Sequence, residues 1–127
     1  MRVLLAEDNV VNQKLVTRLL ERRGHSVTVA ANGRLAVQAV NRDHYDVILM
    51  DVQMPEMGGF EATAIIREKE RAEGVRTPIV ALTANAMKGD NERCLSAGMD
   101  AYLSKPIRTN ELFDVIESLR KVEMAQP

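Results

Sequence analysis

Short apolar runs alternate with longer stretches of helical periodicity along the whole chain, and this alternation predicts a parallel sheet wrapped by helices. The runs at 3–6 (Val-Leu-Leu-Ala), 47–50 (Val-Ile-Leu-Met) and 79–82 (Ile-Val-Ala-Leu) are wholly apolar, the pattern of strands buried on both faces. They are expected at the centre of the sheet. Val27 and Val29 alternate with Ser26, Thr28 and Ala30, and Ala101 to Ser104 is short and mixed, so these two strands belong nearer the edges. Five strand–helix units result, giving an α/β, doubly wound, five-stranded parallel sheet with five helices.

Between the strands, Val11, Leu15 and Leu19, with Val16 and Leu20, recur at intervals of three and four and predict one apolar stripe on a first helix that Gly24 ends. Asn32-Gly33 predicts a turn before a short helix carrying Leu35, Ala36, Ala39 and Val40. Phe60, Ala64 and Ile65 place a third helix before the loop around Gly74 and Pro78. The segment 88–97, closed by Gly98, is the least apolar helix and is expected to be the least firmly held. Thr109 is expected to cap a last helix with Leu112, Ile116 and Leu119 as its buried stripe. The apolar pattern stops at Val122, dividing the chain into one domain over 1–122 and a tail over 123–127.

A chain of 127 residues has room for one core, so any output module is expected elsewhere. Seventeen basic and eighteen acidic residues nearly cancel, which gives no electrostatic case for nucleic acid. Cys94 is the only cysteine, excluding an internal disulfide and any cysteine-rich metal site; it reads as a small, half-buried helical residue. The apolar stretch after Met1 and Arg2 is too short for a signal peptide or a membrane span, so no membrane contact and a cytoplasmic location are expected. His25 and His44 have no acid or nucleophile signature around them and are read as surface residues.

Ligands of a doubly wound sheet bind beyond the carboxyl ends of its strands. Those ends carry Glu7 and Asp8 after the first strand, Asp51 after the third, Thr83 after the fourth and Lys105 with Pro106 after the fifth. Three carboxylates on one rim oppose each other's ionisation unless a cation is present. Oxygen ligands alone, with no paired histidines or cysteines, suit Mg²⁺, and Mn²⁺ is expected to substitute.

The ordered segments Leu4-Leu5-Ala6-Glu7-Asp8-Asn9, Asp46-Val47-Ile48-Leu49-Met50-Asp51, Met54-Pro55-Glu56-Met57-Gly58-Gly59, Ala81-Leu82-Thr83-Ala84 and Lys105-Pro106 resemble the receiver domains of two-component response regulators, most closely those of hybrid sensor histidine kinases. The resemblance spans nearly the whole chain. It implies a flavodoxin-like fold with strand order 2-1-3-4-5 and a phosphorelay function in which Asp51 accepts a phosphoryl group from a phosphohistidine. It further implies that Glu7, Asp8, Asp51 and the backbone carbonyl of Gln53 hold the metal, that Thr83 and Lys105 contact the phosphoryl group, and that Thr83 and Tyr102 form a switch. The implied partners are a histidine kinase core and a histidine phosphotransfer domain.

Pro55, Gly59 and Pro106 read as residues that shape loops. Gln53 and Asn85 flank the phosphate position and are candidates for setting its lifetime. Val10, off the first helix's stripe and beside the site, is a candidate docking contact. Catalysis by this chain is expected to extend only to its own phosphorylation and dephosphorylation. An aspartyl phosphatase would need a second carboxylate where Gln53 stands, and a nucleotide-binding module would need a glycine-rich loop where Glu7-Asp8-Asn9-Val10 stands. A free-standing regulator and a phosphate-independent interaction module remain the alternatives to a piece of a hybrid kinase.

Overall fold

The computed structural model describes residues 1–84 and 88–125, with side chains omitted at 88–91 and 120–125. Five strands, β1 (Arg2–Ala6), β2 (Ser26–Ala30), β3 (Val47–Asp51), β4 (Ile79–Thr83) and β5 (Ala101–Ser104), alternate with five helices. The helices are α1 (Val10–Arg22), α2 (Gly33–Arg42), α3 (Gly59–Glu73), α4 (Lys88–Ser96) and α5 (Thr109–Ala125). All strand pairs are parallel and the order is β2-β1-β3-β4-β5, as expected.

Side chains of a strand alternate between faces, and in the three central strands both faces are apolar, so each strand feeds two cores. Leu4, Ile48, Met50, Ile79 and Ala81 meet Ala36, Ala39, Ala62, Ile66 and Cys94, which puts α2, α3 and α4 on one face. Val3, Leu5, Val47, Leu49, Val80 and Leu82 meet Val16, Leu20, Leu112 and Ile116, which puts α1 and α5 on the other. Truncating one of the buried leucines to alanine costs about 2–5 kcal/mol in such cores. Cys94 is fully buried rather than half-buried, and His25 is half-buried while His44 is exposed.

Helix ends follow local chemistry. Asn9 and Asn32 cap α1 and α2 by accepting from the amides of Asn12 and Leu35. Gly33 is therefore the first residue of α2 rather than part of a separate turn. Gly24 and Gly98, at φ +84° and +101°, turn the chain out of α1 and α4. Thr109 does not cap α5: the first helical bond runs from Leu112 to the carbonyl of Arg108, so Thr109 already lies inside the helix. The last helix continues to Ala125, past the end of its apolar pattern.

Only part of the apolar residues expected on α1 and α3 reach the core: Leu19 and Phe60 pack against it, while others face solvent. In α1 the buried row is Val16 and Leu20, with Asn12 half-buried, while Val11 and Leu15 are exposed. In α3, Ala64 and Ile65 are exposed and the buried row is Gly59, Ala62, Thr63, Ile66, Arg67 and Glu70. The cause in α3 is a buried ionic hub. Arg67 donates to the carbonyls of Gly98 (2.8 Å) and Thr77 (2.7 Å), to Glu70 (2.6 Å) and to Asp100 (2.7 Å). Glu70 accepts from the amide of Thr77, and Asp100 from that of Ile79 and from Arg76. One guanidinium thus ties α3 to the starts of β4 and β5 and to the end of α4.

Candidate phosphoacceptor and metal site

The carboxyl ends of β1, β3, β4 and β5 open into a cleft of about 380 Å³ lined by Glu7, Asp8, Asp51, Gln53, Thr83 and Lys105, among others. Parallel pairing at matched register delivers the chemistry of four distant segments to one rim, since Ala6 pairs with Met50, Asp51 with Leu82 and Thr83 with Ser104.

Glu7 and Asp51 are buried, whereas Asp8 is exposed. One carboxylate oxygen from each of the three lies within 4.8 Å of the others. This spacing and the hardness of the donors fit a small divalent cation. Lys105 reaches into the cluster from the end of β5, donating to Oδ2 of Asp51 at 2.7 Å and to both oxygens of Glu7 at 3.1 Å. The backbone amide of Gln53 donates to Oδ1 of Asp51 at 3.1 Å, fixing the carboxylate's orientation.

Burial and the adjacent Glu7 push Asp51 up to about 6, although Lys105 and the Gln53 amide oppose the rise. Burial also raises Glu7, but hydrogen bonds with Asp51, Asn12 and Lys105 and the lysine's charge outweigh it, leaving Glu7 below the ordinary carboxyl range. Burial lowers Lys105, yet its two carboxylate partners hold it above the ordinary lysine value. The charge crowding therefore falls on the buried pair Glu7 and Asp51.

The residues expected to shape loops lie near this cluster. A side chain at Gly59 would overlap the carbonyl of Asp51. The carbonyl of Pro55 accepts from the amide of Met57. Lys105 and Pro106 are joined by a cis peptide, and the amide of Lys105 donates to the carbonyl of Thr83 at 2.8 Å. Thr83 is buried. By alternation from Ala81 it shares a sheet face with Tyr102, which pairs with Ala81 and is 39% exposed. Asn85 lies outside the described residues. Val10 is 57% exposed at the start of α1, and Val11 (74%) and Leu15 (45%) extend an apolar surface beside it.

Four further residues belong to the site. Asn12 donates to Oε1 of Glu7 at 2.8 Å and Gln13 to its carbonyl at 2.6 Å, so the first turn of α1 holds the buried carboxylate. Phe60 and Arg93 line the cleft, with the guanidinium 5.2 Å from the ring centroid. Asn12 and Gln13 were open to inference, being polar residues one turn after the acidic pair. Arg93 was not, because only the docking of α4 brings it near.

Comparison with known proteins agrees with this geometry. The sequence model described as "Response regulator receiver domain" matches residues 3–117. Hybrid signal transduction histidine kinase I of Dictyostelium discoideum is 48% identical over 122 residues, covering 92% of this chain but 7% of that protein. The receiver domain of sensor histidine kinase PA1611 from Pseudomonas aeruginosa PAO1, solved with a magnesium ion coordinated in its active site cleft, is 45% identical with a TM-score of 0.84. That comparison covers 93% of this chain and 95% of the other. The receiver domain of Ssk1 from Saccharomyces cerevisiae, solved with the histidine phosphotransfer protein Ypd1, is 33% identical with a TM-score of 0.91. Here the coverage is 94% of this chain and 88% of that one. With a shared fold, a family match over most of its length and an acidic cluster at the ends of β1 and β3, the chain belongs to the response regulator receiver domain family.

Proposed function

We propose that this domain accepts a phosphoryl group from a phosphohistidine onto Asp51 and changes its partner contacts in response. The observation that carries this reading is the buried Asp51 carboxylate, held by Lys105 at 2.7 Å and by the Gln53 amide at 3.1 Å, with Glu7 and Asp8 close by. An oxygen of ionised Asp51 attacks the phosphorus, the P–N bond to the donor imidazole breaks, and an acyl phosphate forms. Glu7, Asp8, Asp51 and the Gln53 carbonyl would hold Mg²⁺, which supplies positive charge to the transferring oxygens; Mn²⁺ is the natural substitute. Lys105 is drawn from its bonds with Asp51 and Glu7 to the new phosphoryl oxygens, and the hydroxyl of Thr83 donates to another. Movement of Thr83 frees space for the ring of Tyr102 on the same sheet face. Gln53 and Asn85 set how readily water reaches the acyl phosphate.

The donors are a histidine kinase core and a histidine phosphotransfer domain, docking on the exposed Val10, Val11 and Leu15 beside the cleft. The chain spans 7% of the Dictyostelium kinase, so a parent hybrid sensor kinase is part of this proposal. A cytoplasmic location, a domain boundary near Val122 and the absence of nucleic-acid and membrane contacts complete it; among the described residues no helix is long and apolar enough to cross a membrane.

The test is intact-mass measurement after incubation with acetyl phosphate and Mg²⁺. One phosphoryl group should add to the parent protein and none to Asp51→Asn. Full labelling of a folded Asp51→Asn protein overturns the assignment.

A further inference from the structure

We propose that the first turn of α2 is a clamp for the loop that follows Asp51, with Asn32, Gly33 and Glu56 as positioning residues for metal binding and phosphoryl uptake. The inference rests on the reading of Glu7, Asp8 and Asp51 as a metal site and adds a second layer to it.

The loop leaves β3 at Asp51 and enters α3 at Gly59. Its ends are tied to the sheet and to each other, since Val52 donates to the carbonyl of Leu82 and Gly59 to that of Val52, both at 3.0 Å. Its middle is tied to α2. The amide of Gly33 donates to the carbonyl of Met57 at 3.0 Å, Nδ2 of Asn32 donates to Oε2 of Glu56 at 3.2 Å, and Arg34 lies 3.4 Å from the same oxygen.

Two of these positions are occupied against local preference. Glu56 sits at φ +64° inside a three-residue turn closed by the 2.7 Å bond from Met57 to Pro55. Glycine or asparagine fits such a backbone better, and an ordinary residue there costs free energy that its surroundings must offset. Gly33 starts a helix although glycine weakens one. A Cβ there would overlap the carbonyl oxygen of Met57, so only glycine permits the close approach. The close approach of Gly33 is to Met57, the residue next to the strained Glu56, and such coincidences mark sites kept for function. Asn32 joins them, capping α2 through Oδ1, which accepts from Leu35 at 2.9 Å, while its amide group holds Glu56.

The consequence reaches the site through Gln53, three residues before Glu56. Its amide orients the Asp51 carboxylate, and its carbonyl is the backbone ligand of the proposed metal site. Releasing the strained turn lets this stretch relax and blurs both groups. Outer partners of metal ligands act in this way, and losing them commonly weakens affinity about tenfold or more.

An exchange of charge and amide tests the pair. Asn32→Asp keeps a capping oxygen for α2 but loses the donor and sets two carboxylates against each other. Its Mg²⁺ dissociation constant, measured calorimetrically, should rise about tenfold. Extra negative charge acting directly on a cation site would tighten binding, so the expected sign is opposite to simple electrostatics. Combining Asn32→Asp with Glu56→Gln restores a donor–acceptor pair and should return the constant to near the parent value. In metal-free protein, hydrogen exchange at the amides of Gln53 and Met57 should quicken in the single variant and recover in the double. Glu56→Ala, a change in an exposed loop side chain, should weaken binding in the same direction and serves if Asn32→Asp fails to fold. Unchanged affinity and exchange in folded Asn32→Asp and Glu56→Ala overturn the clamp, as does a double variant without recovery. Asp8→Asn separates the two levels: if it retains full Mg²⁺ binding, the metal-site reading itself falls. If it loses binding while the clamp variants behave as the parent, only the clamp does.

Discussion

Lys105 and Asp51, more than fifty residues apart, meet at 2.7 Å at the ends of β5 and β3, and the same ammonium spans both oxygens of Glu7. A single cation thereby balances two buried carboxylates, and that balance is incomplete because Asp51 still rises to about 6.

Stability of the metal-free protein should depend on pH through Asp51. Its ordinary value is 3.8 and its folded value about 6, so between them the native state holds a proton that the unfolded state has lost. Stability from this group is full below the lower value and declines as pH rises through the upper one. Asp51→Asn removes the decline. In urea melts with a chelator it should exceed the parent by about 1–3 kcal/mol at pH 7.5 and by little at pH 4. Equal stabilities at pH 7.5 would mean that Lys105 already offsets the burial of Asp51 completely.

The proposed docking surface should be separable from the chemistry. Val10→Glu should slow transfer from a phosphorylated histidine phosphotransfer domain by about tenfold or more, in line with losing an interface contact worth over 1 kcal/mol. Labelling by acetyl phosphate, which needs no protein interface, should stay unchanged. Tyr102→Ala should behave oppositely, preserving both labelling rates while reducing phosphorylation-dependent partner binding. Equal loss of both labelling routes in folded Val10→Glu would end the docking proposal.

Removing the guanidinium at the other end of the sheet should be costly. Arg67→Met leaves Glu70 buried without the guanidinium that balances it and leaves the carbonyls of Thr77 and Gly98 without these donors. A loss of about 3–5 kcal/mol is expected from breaking such a buried pair. Arg67→Lys should recover only part of it, because one ammonium cannot reproduce the fork that serves four acceptors. Denaturant melts of the two variants decide this, and a loss below about 1 kcal/mol would show that the hub is replaceable.

Thr63 offers the reverse case. It is fully buried in α3 and its hydroxyl has no hydrogen-bond partner among the described residues. Thr63→Val swaps an unsatisfied polar group for a methyl of similar size, so stability should hold or rise by about 1 kcal/mol. A clear loss in thermal melts would reveal a hydrogen bond made by that hydroxyl in solution.

Much of this architecture was written locally. The apolar runs at 3–6, 47–50 and 79–82 have the pattern of strands buried on both sides, and the polar groups placed just beyond them fell on the rim. The apolar stripes misled where polar residues are buried. In α3 the core face carries Thr63, Arg67 and Glu70, and a hydrophobic period cannot detect a guanidinium whose cost of burial is met by Glu70 on the next turn and by partners ten to thirty-three residues away. In α1 the single expected stripe was wider than the face that packs: Val16, Leu19 and Leu20 reach the core beside Asn12, which holds Glu7, and Val11 and Leu15 are left to solvent. Residue types and their order along the chain therefore determined the sheet, its helices and the acidic rim. Tertiary structure alone decided which carboxylates are buried, where Lys105 points, how Arg93 reaches the cleft and why Gly33 must be glycine. Each of those depends on a distance between segments far apart in sequence, and local periodicity carries no term for it.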